Sequence, residues 1–252
     1  MHHSVSEPGS VQEWVEDVGD KALRGLMAWL SEAYFRVETS GMENIPQSGP
    51  VILVANHSGA WALDGFILNE VLDRDLPRPV DIMASSLVFK FPVVASTARK
   101  AGIFENDPTV GLDRLAAGRA VGLFPEGFAG VRKPFRQRYR LRTFSTGFAV
   151  TAMRAGAPVV PVSIVGAEEA YPKLGEVDFL AQLTGLPYFP VTTLLPLPSK
   201  WLISFGEPIP APVRPDSFAE RAAAARLLCD EAQATVQKMV DRDRARRTSP
   251  FH

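Results

Sequence analysis

The chain has 252 residues, 46% of them hydrophobic and 22% charged, and its formal net charge is −1. Such a length and apolar content can build one large core, and the balanced charge argues against a nucleic-acid-binding domain. The single cysteine, Cys229, excludes an intrachain disulfide and a cysteine-rich metal site, as is usual in a reducing compartment. It falls in a helical pattern, where we expect a buried structural thiol.

Residues 1–34 are predicted to form an N-terminal amphipathic helical segment ahead of a single domain over residues 35–252. Apolar residues recur there at helical spacing, namely Val11, Trp14, Val15, Val18, Ala22, Leu26, Trp29, Leu30 and Ala33. This stripe fits either packing on the domain core or docking on a membrane. Four acids oppose an anionic membrane, namely Glu13, Glu16, Asp17 and Asp20. Because no run of about 20 apolar residues occurs, we expect membrane contact to be peripheral.

Short apolar runs rich in β-branched residues alternate with helical patterns along the rest of the chain. Strands are predicted at 35–39, 51–55, 81–84, 120–124, 159–165 and 201–205. Helices are predicted at 64–71, 92–101, 111–117, 145–155 and 218–241. This alternation predicts a single α/β domain with a largely parallel sheet flanked by helices.

His57 is the only histidine away from the chain ends, and it follows the predicted strand 51–55. Ligands of open α/β sheets bind beyond the carboxyl ends of the strands. Imidazole suits proton transfer near neutral pH, and Asp64 can return to its far ring nitrogen if a helix begins nearby. The pair therefore predicts a base and its orienting carboxylate, although a structural histidine fits the same pattern.

The predicted strand 120–124 ends in Phe124-Pro-Glu-Gly127. We expect Glu126 to face the same cleft and Gly127 to permit close backbone approach, while a simple tight turn is the alternative. Six basic residues without an acid follow, namely Arg132, Lys133, Arg136, Arg138, Arg140 and Arg142. In an extended chain the last four would face one way and could bind phosphate groups, whereas a solvated loop is the other interpretation.

Residues 170–198 are apolar and broken by prolines, so we predict neither a regular helix nor a strand there. One hypothesis is that this segment lines an acyl-chain channel or touches the bilayer. An ordered loop over the core is the alternative.

In order along the chain, these blocks resemble the glycerolipid acyltransferase family, the lysophospholipid acyltransferases that include the bacterial 1-acylglycerol-3-phosphate acyltransferases. The resemblance spans about residues 35 to 210. It rests on Asn56-His57 with a following Asp64, on Phe124-Pro-Glu-Gly127 and on the segment 157–166. Two features depart from the family pattern: six residues rather than four separate His57 from Asp64, and Phe128-Ala-Gly-Val-Arg-Lys133 replaces the usual Thr-Arg-Ser.

The resemblance implies transfer of an acyl group from a coenzyme A or acyl-carrier-protein thioester to a hydroxyl of a (lyso)phospholipid or related lipid, with His57 as general base and Asp64 as its orienter. Residues expected to bind substrate are Asn56, Ser58, Gly59, Glu126, Gly127, Arg132, Lys133, Arg136 and Arg138. No metal, further cofactor or nucleic acid is expected. We expect a cytoplasmic protein on the inner face of the membrane. A non-catalytic lipid-binding protein and a thioesterase or lysolipid hydrolase remain alternatives.

Overall fold

A seven-stranded sheet lies at the centre of the computed structural model, which describes residues 11–251 and the side chains from Asp17 onward except that of Val93. In chain order the strands are β1 Glu38–Ser40, β2 Val51–Ala55, β3 Val80–Ala84, β4 Phe104–Glu105, β5 Ala120–Leu123, β6 Val159–Val165, β7 Gly175–Glu176, β8 Pro190–Val191 and β9 Leu202–Phe205. Of these strands, β7 and β8 form a separate small sheet. The helices are α1 Val11–Trp29, α2 Leu63–Asp75, α3 Pro92–Lys100, α4 Pro108–Ala116, α5 Phe128–Val131, α6 Gly147–Ala155, α7 Ala167–Ala170, α8 Asp178–Thr184 and α9 Phe218–Arg246.

The strand order in the sheet is β1-β9-β6-β2-β5-β3-β4. Every neighbouring pair is parallel except β6 and β9, so the predicted α/β domain with a largely parallel sheet is confirmed. The prediction missed the two-residue strand β4 and began α4 too late. Asp107 caps that helix by accepting hydrogen bonds from the backbone of Thr109 and Val110.

Strand β2 runs through the middle of the sheet with all five residues buried. Val51, Leu53 and Ala55 join the core beneath α2, whereas Ile52 and Val54 join the core beneath α6 and α9. Burial on both faces explains why the strand is a continuous apolar run rather than an alternating one. Its carboxyl end therefore emerges between its neighbours β5 and β6.

Helix α1 turns part of its apolar stripe to solvent. Val18, Leu26 and Trp29 are exposed, whereas Asp20 and Leu30 are buried. Asp20 faces the domain, where it pairs with Arg24 and Lys100. Packing on the core therefore does not explain the stripe between residues 18 and 29, and the side chains of Val11, Trp14 and Val15 lie outside those described.

The proline-broken segment 170–198 contains more regular structure than its sequence predicts. Strands β7 and β8 pair in antiparallel fashion, and α8 lies between them. The prediction of neither helix nor strand is therefore wrong for these short elements. Across residues 11–251, no helix is both long enough and apolar enough to span a bilayer.

Candidate active site

Asn56 ends strand β2 with a side chain that imitates backbone. Its Nδ2 donates to the carbonyl oxygen of Ile164 at 2.9 Å, and its Oδ1 accepts from the backbone N–H of Ile164 at 2.7 Å. The amide thus replaces a peptide group in the ladder with β6 at the point where the chain leaves the sheet. Asn56 fixes the start of the next loop, and its side chain is committed to that contact rather than turned towards a substrate.

His57 and Asp64 form a hydrogen-bonded pair beyond the end of β2. Nδ1 of His57 lies 2.9 Å from Oδ2 of Asp64. The fully buried carboxylate also accepts from the backbone N–H groups of Ser58, at 2.6 Å, and Gly65, at 2.9 Å. These contacts fix the carboxylate, and an acceptor at Nδ1 assigns the proton of neutral imidazole to Nδ1, leaving the lone pair on Nε2.

The imidazole ring is held from its face as well as its edge. It stacks on Phe124 with ring centroids 4.4 Å apart, and its side chain is 16% exposed. Among the described residues, none hydrogen-bonds to Nε2. His57 therefore presents one basic nitrogen to the cleft in a fixed orientation.

The loop between His57 and Asp64 has two more residues than the family pattern. Two of its residues adopt the left-handed conformation, Gly59 at φ 84° and Ala62 at φ 55°. A Cβ at Gly59 would lie 2.9 Å from the carbonyl oxygen of Ala167, so both conformation and space require glycine there. The six-residue spacing is thus compatible with a formed His57–Asp64 pair. Ser58 lies buried in this loop, and the substrate contacts predicted for Ser58 and Gly59 stay predictions.

Glu126 does not face the cleft as the sequence predicts, because its side chain is buried against backbone. Oε1 accepts from the N–H of His57 at 2.9 Å, and Oε2 accepts from the N–H of Arg142 at 2.6 Å. The carboxylate therefore fixes the backbone of the candidate base and the end of the basic stretch. Gly127, the exposed residue after it, has φ 53°, and its predicted substrate contact stays a prediction.

Lys133 provides the counter-charge for two buried carboxylates. Its Nζ lies 3.5 Å from Oε2 of Glu126 and 3.0 Å from Oε1 of Glu168, and its side chain is 3% exposed. Burial raises the pKa of Glu168 above its ordinary value. Lys133 thus links the support of His57 to the end of β6, and its ammonium is already paired within the protein.

The basic stretch does not form the single extended row that the alternation of its arginines predicts. A 3-10 turn occupies Phe135–Gln137, and Tyr139 adopts φ 66°, so neighbouring arginines point in different directions. Arg138 packs over the ring of Phe135. Arg136 and Arg140 are exposed, and neither has an acidic partner among the described residues.

Arg132 points away from the other arginines and pairs with Glu176. Its Nε and Nη2 donate to the two carboxylate oxygens at 2.9 and 2.7 Å. These bonds, together with Lys173, lower the pKa of Glu176 to about 2. Arg132 therefore ties α5 to the β7–β8 hairpin.

A group of buried polar residues around Tyr139 was not predicted from the sequence. The hydroxyl of Tyr139 donates to Glu169, and Arg247 donates to both, at 3.0 Å in each case. The backbone N–H of Tyr139 donates to Glu168. The sequence feature that could have revealed them is Glu168-Glu169. These two acids follow the buried strand β6 and so lie at the same edge of the sheet as His57.

The β7–β8 hairpin reaches the dyad through Tyr188. Its hydroxyl donates to the carbonyl oxygen of Ala60 at 2.7 Å, and burial raises the pKa of Tyr188. A shallow recess adjoins the loop after His57 and is lined by residues that include Gly59, Gly130, Lys133, Arg138, Glu168 and Lys173. Basic and acidic side chains thus line a small recess beside the loop that carries the candidate base.

We expect Gly130→Ala to lower activity and stability together. A Cβ at Gly130 would lie 2.7 Å from the carbonyl oxygen of His57, 2.9 Å from the Cβ of His57 and 3.0 Å from the Cβ of Glu126. Backbone cannot yield as a flexible side chain does, so we expect a loss of about 1–3 kcal/mol. Chemical unfolding and turnover check this, with Gly147→Ala as the control because a Cβ there meets nothing within 4 Å. Equal stability for both variants would contradict the close approach.

The fold of this protein is that of the α/β acyltransferases. Its structure is similar to the crystal structure of the 1-acyl-sn-glycerophosphate acyltransferase PlsC from Thermotoga maritima, with a TM-score of 0.62, 21% identity, and coverage of 94% of this chain and 83% of that one. Residues 36–165 match the family described as Acyltransferase. The chain belongs to this acyltransferase family.

Sequence relatives agree with that assignment. An uncharacterised protein of Mycobacterium tuberculosis is 41% identical over 241 residues, which cover 91% of this chain and 67% of that longer protein. A 1-acyl-sn-glycerol-3-phosphate acyltransferase of Pseudomonas aeruginosa is 31% identical over 154 residues, covering 58% of this chain and 56% of that enzyme.

Proposed function

We propose that the chain transfers a fatty acyl group from a coenzyme A or acyl-carrier-protein thioester to a hydroxyl of a (lyso)phospholipid, with His57 as general base and Asp64 as its orienting partner. The observation that carries the proposal is the 2.9 Å contact between Nδ1 of His57 and Oδ2 of Asp64 in a member of the acyltransferase family. The name of the Pseudomonas aeruginosa relative supports a glycerophosphate-type acceptor.

In the proposed reaction, Nε2 of His57 removes the proton of the acceptor hydroxyl as its oxygen attacks the thioester carbonyl. The tetrahedral intermediate collapses to the new ester, the carbon–sulfur bond breaks, and the leaving thiolate takes the proton from the imidazolium. Asp64 stabilises the imidazolium between the two transfers. General-base catalysis of this kind contributes about 10²–10⁴-fold, and a thioester is reactive enough to need no covalent acyl-enzyme.

Two arginines near the loop after His57 support an anionic substrate group. Arg138 lines the recess near Gly59, and Arg136 lies exposed on the neighbouring turn. Arginine suits phosphate because its planar guanidinium can make two parallel hydrogen bonds. We assign Arg136 and Arg138 to the phosphate of the acceptor or donor, whereas Arg132 and Lys133 support the site from inside the protein.

Peripheral attachment to the inner face of the membrane forms part of the proposal, with the protein in the cytoplasm. The exposed positions Val18, Leu26 and Trp29 of α1 support it, because an apolar face with an exposed tryptophan suits a bilayer interface.

The experiment that tests the reaction incubates the purified chain with a labelled long-chain acyl-CoA, or with acyl carrier protein, and a panel of lysophospholipids and neutral acceptors. Products are read by mass. We expect one class of lysophospholipid to gain an acyl chain. Release of free fatty acid without any acylated acceptor would identify a hydrolase instead, and bound lipid of unchanged mass would identify a lipid-binding protein.

A further inference from the structure

Residues 173–195, which we call the mouth hairpin, carry a concentration of exposed apolar side chains. They comprise β7, α8 and β8 with the turns that join them. Within this segment the most exposed large apolar residues are Leu174 at 69%, Phe179 at 70%, Leu183 at 71%, Leu194 at 94% and Leu195 at 73%. Single exposed apolar residues are ordinary on a protein surface, but a group of them within one short segment marks an interaction site.

The group is organised by the geometry of the hairpin. Phe179 and Leu183 are four residues apart in α8 and so lie on one face of that helix, while Ala181 is buried. The backbone N–H of Leu174 donates to the carbonyl oxygen of Val191 at 2.9 Å, which brings the two ends of the hairpin together. The apolar side chains therefore belong to one folded projection.

The projection stands at the mouth of the candidate active site. Phe189 makes an edge contact with Trp61 at 5.8 Å between ring centroids, and Trp61 lies in the loop that joins His57 to Asp64. Phe128, at the start of α5, contacts the ring of Tyr188 at 6.5 Å. Trp61 and Phe128 are themselves partly exposed. The apolar surface thus runs from the hairpin to the opening beside the imidazole.

The same surface continues towards α1. The hydroxyl of Tyr34 donates to the carbonyl oxygen of Pro196 at 2.7 Å, directly after Leu195. The ring of Tyr34 packs against exposed Trp29 at 5.2 Å between centroids. The end of the hairpin therefore lies beside the exposed tryptophan of α1.

Cationic residues border the hairpin. The backbone N–H of Phe135 donates to the carbonyl oxygen of Lys173 at 2.9 Å, which sets exposed Arg136 next to the hairpin. Glu176 pairs with both Arg132 and Lys173, whereas Arg136 has no acidic partner among the described residues. Asp178 is exposed beside Phe179, but Arg132, Lys173 and Arg136 outnumber Glu176 and Asp178, so the apolar projection with its border is complementary to lipid that carries negative headgroups.

We propose that the mouth hairpin inserts its apolar side chains into the surface of an anionic bilayer, so that the cleft of His57 opens onto the lipid. This inference rests on the proposed function, because a lipid acceptor has to pass between the bilayer and the base. It adds a second contact to that of α1, and the two contacts orient the cleft. Arg136 then meets the headgroups beside the inserted α8.

The test measures binding of the full chain to phosphatidylcholine vesicles with and without phosphatidylglycerol. The double variant Phe179→Glu/Leu183→Glu places charge on the hairpin, and Phe218→Glu/Leu227→Glu is its matched control on α9, where those residues are 80% and 71% exposed. We expect the hairpin variant to lose at least about tenfold in vesicle affinity and the control to bind as the wild type does. Arg136→Gln should reduce the preference for phosphatidylglycerol.

A second measurement separates docking from chemistry. Both double variants should unfold at the wild-type denaturant concentration and turn over soluble short-chain substrates at the wild-type rate. An unchanged vesicle affinity of the hairpin variant would overturn the proposal. So would a wild-type protein that does not bind vesicles but forms a dimer that the hairpin variant cannot form. A wild type that binds vesicles through the hairpin without any turnover would refute the acyltransferase reaction and leave the docking surface standing.

Discussion

Replacing His57 by alanine is expected to lower the rate of acyl transfer by at least about 100-fold in a chain that still folds. The variant removes the nitrogen that would accept the hydroxyl proton. The surrounding loop keeps its own supports, since the backbone N–H of His57 still donates to Glu126 and that of Ser58 to Asp64. Single-turnover kinetics with a saturating thioester and lysolipid measure the chemical step.

The control for this variant lies in the other histidines, which stand at the chain ends, so that His252→Ala should transfer acyl groups at the wild-type rate. Denaturant unfolding of His57→Ala distinguishes loss of the base from loss of the fold. If His57→Ala transfers acyl groups as fast as the wild type, the imidazole is structural and the mechanism is wrong.

Lys133→Met is expected to lower the free energy of unfolding by about 3–5 kcal/mol. The side chain keeps its length and apolar contacts, but Glu126 and Glu168 lose the ammonium that lies between them. Two carboxylates would then remain buried without a counter-charge, which is the costly half of breaking an internal ion pair. Because Glu126 holds the backbone of His57, turnover should fall as well.

A matched substitution in an exposed pair provides the comparison. Lys200 pairs with Glu38 at 2.6 Å, and the side chain of Glu38 is 64% exposed, so Lys200→Met should cost at most about 1 kcal/mol. Adding Glu168→Gln to Lys133→Met should recover part of the lost stability, because one buried charge is removed. Equal destabilisation by Lys133→Met and Lys200→Met would show that Lys133 is not the internal counter-ion described above.

Local sequence was sufficient to predict the centre of the molecule. The run from Val51 to Ala55 has the length and apolar character of a doubly buried strand, and His57 and Asp64 follow it within one loop and one helical turn. The strand, the parallel sheet and the proximity of the two side chains could therefore be inferred from residues close in sequence. The catalytic roles of the two residues stay predictions.

Long-range partners explain where the sequence misled. Glu126 turns inward because the N–H groups of His57 and Arg142 and the ammonium of Lys133 meet it there, and none of these contacts is visible from the Phe124-Pro-Glu-Gly127 turn. The prediction that the arginines face one way is wrong for a similar reason. Burial of Tyr139 against Glu168 and Glu169 bends the chain out of the extended conformation that alternation assumes.

The stripe on α1 shows a different limit. Periodicity identifies residues that share a helix face, but it does not tell which medium that face meets. Here Asp20 turns towards the domain, where Lys100 of α3 pairs with it, whereas Val18 and Trp29 face outward. The pattern alone left both arrangements open.

The amide-for-peptide substitution by Asn56 has a consequence for how this loop can vary. One end of the loop is pinned to β6 through Ile164, and the other is pinned at the first turn of α2, where Asp64 receives its backbone hydrogen bonds. Residues 58–62 connect these two fixed ends of the loop. Apart from Gly59, whose conformation and surroundings require glycine, their number and chemistry can therefore change the rim that the proposed lipid substrate meets, including Trp61, while the spacing between imidazole and carboxylate stays the same. In the proposed mechanism, substrate choice and proton transfer thus depend on different residues.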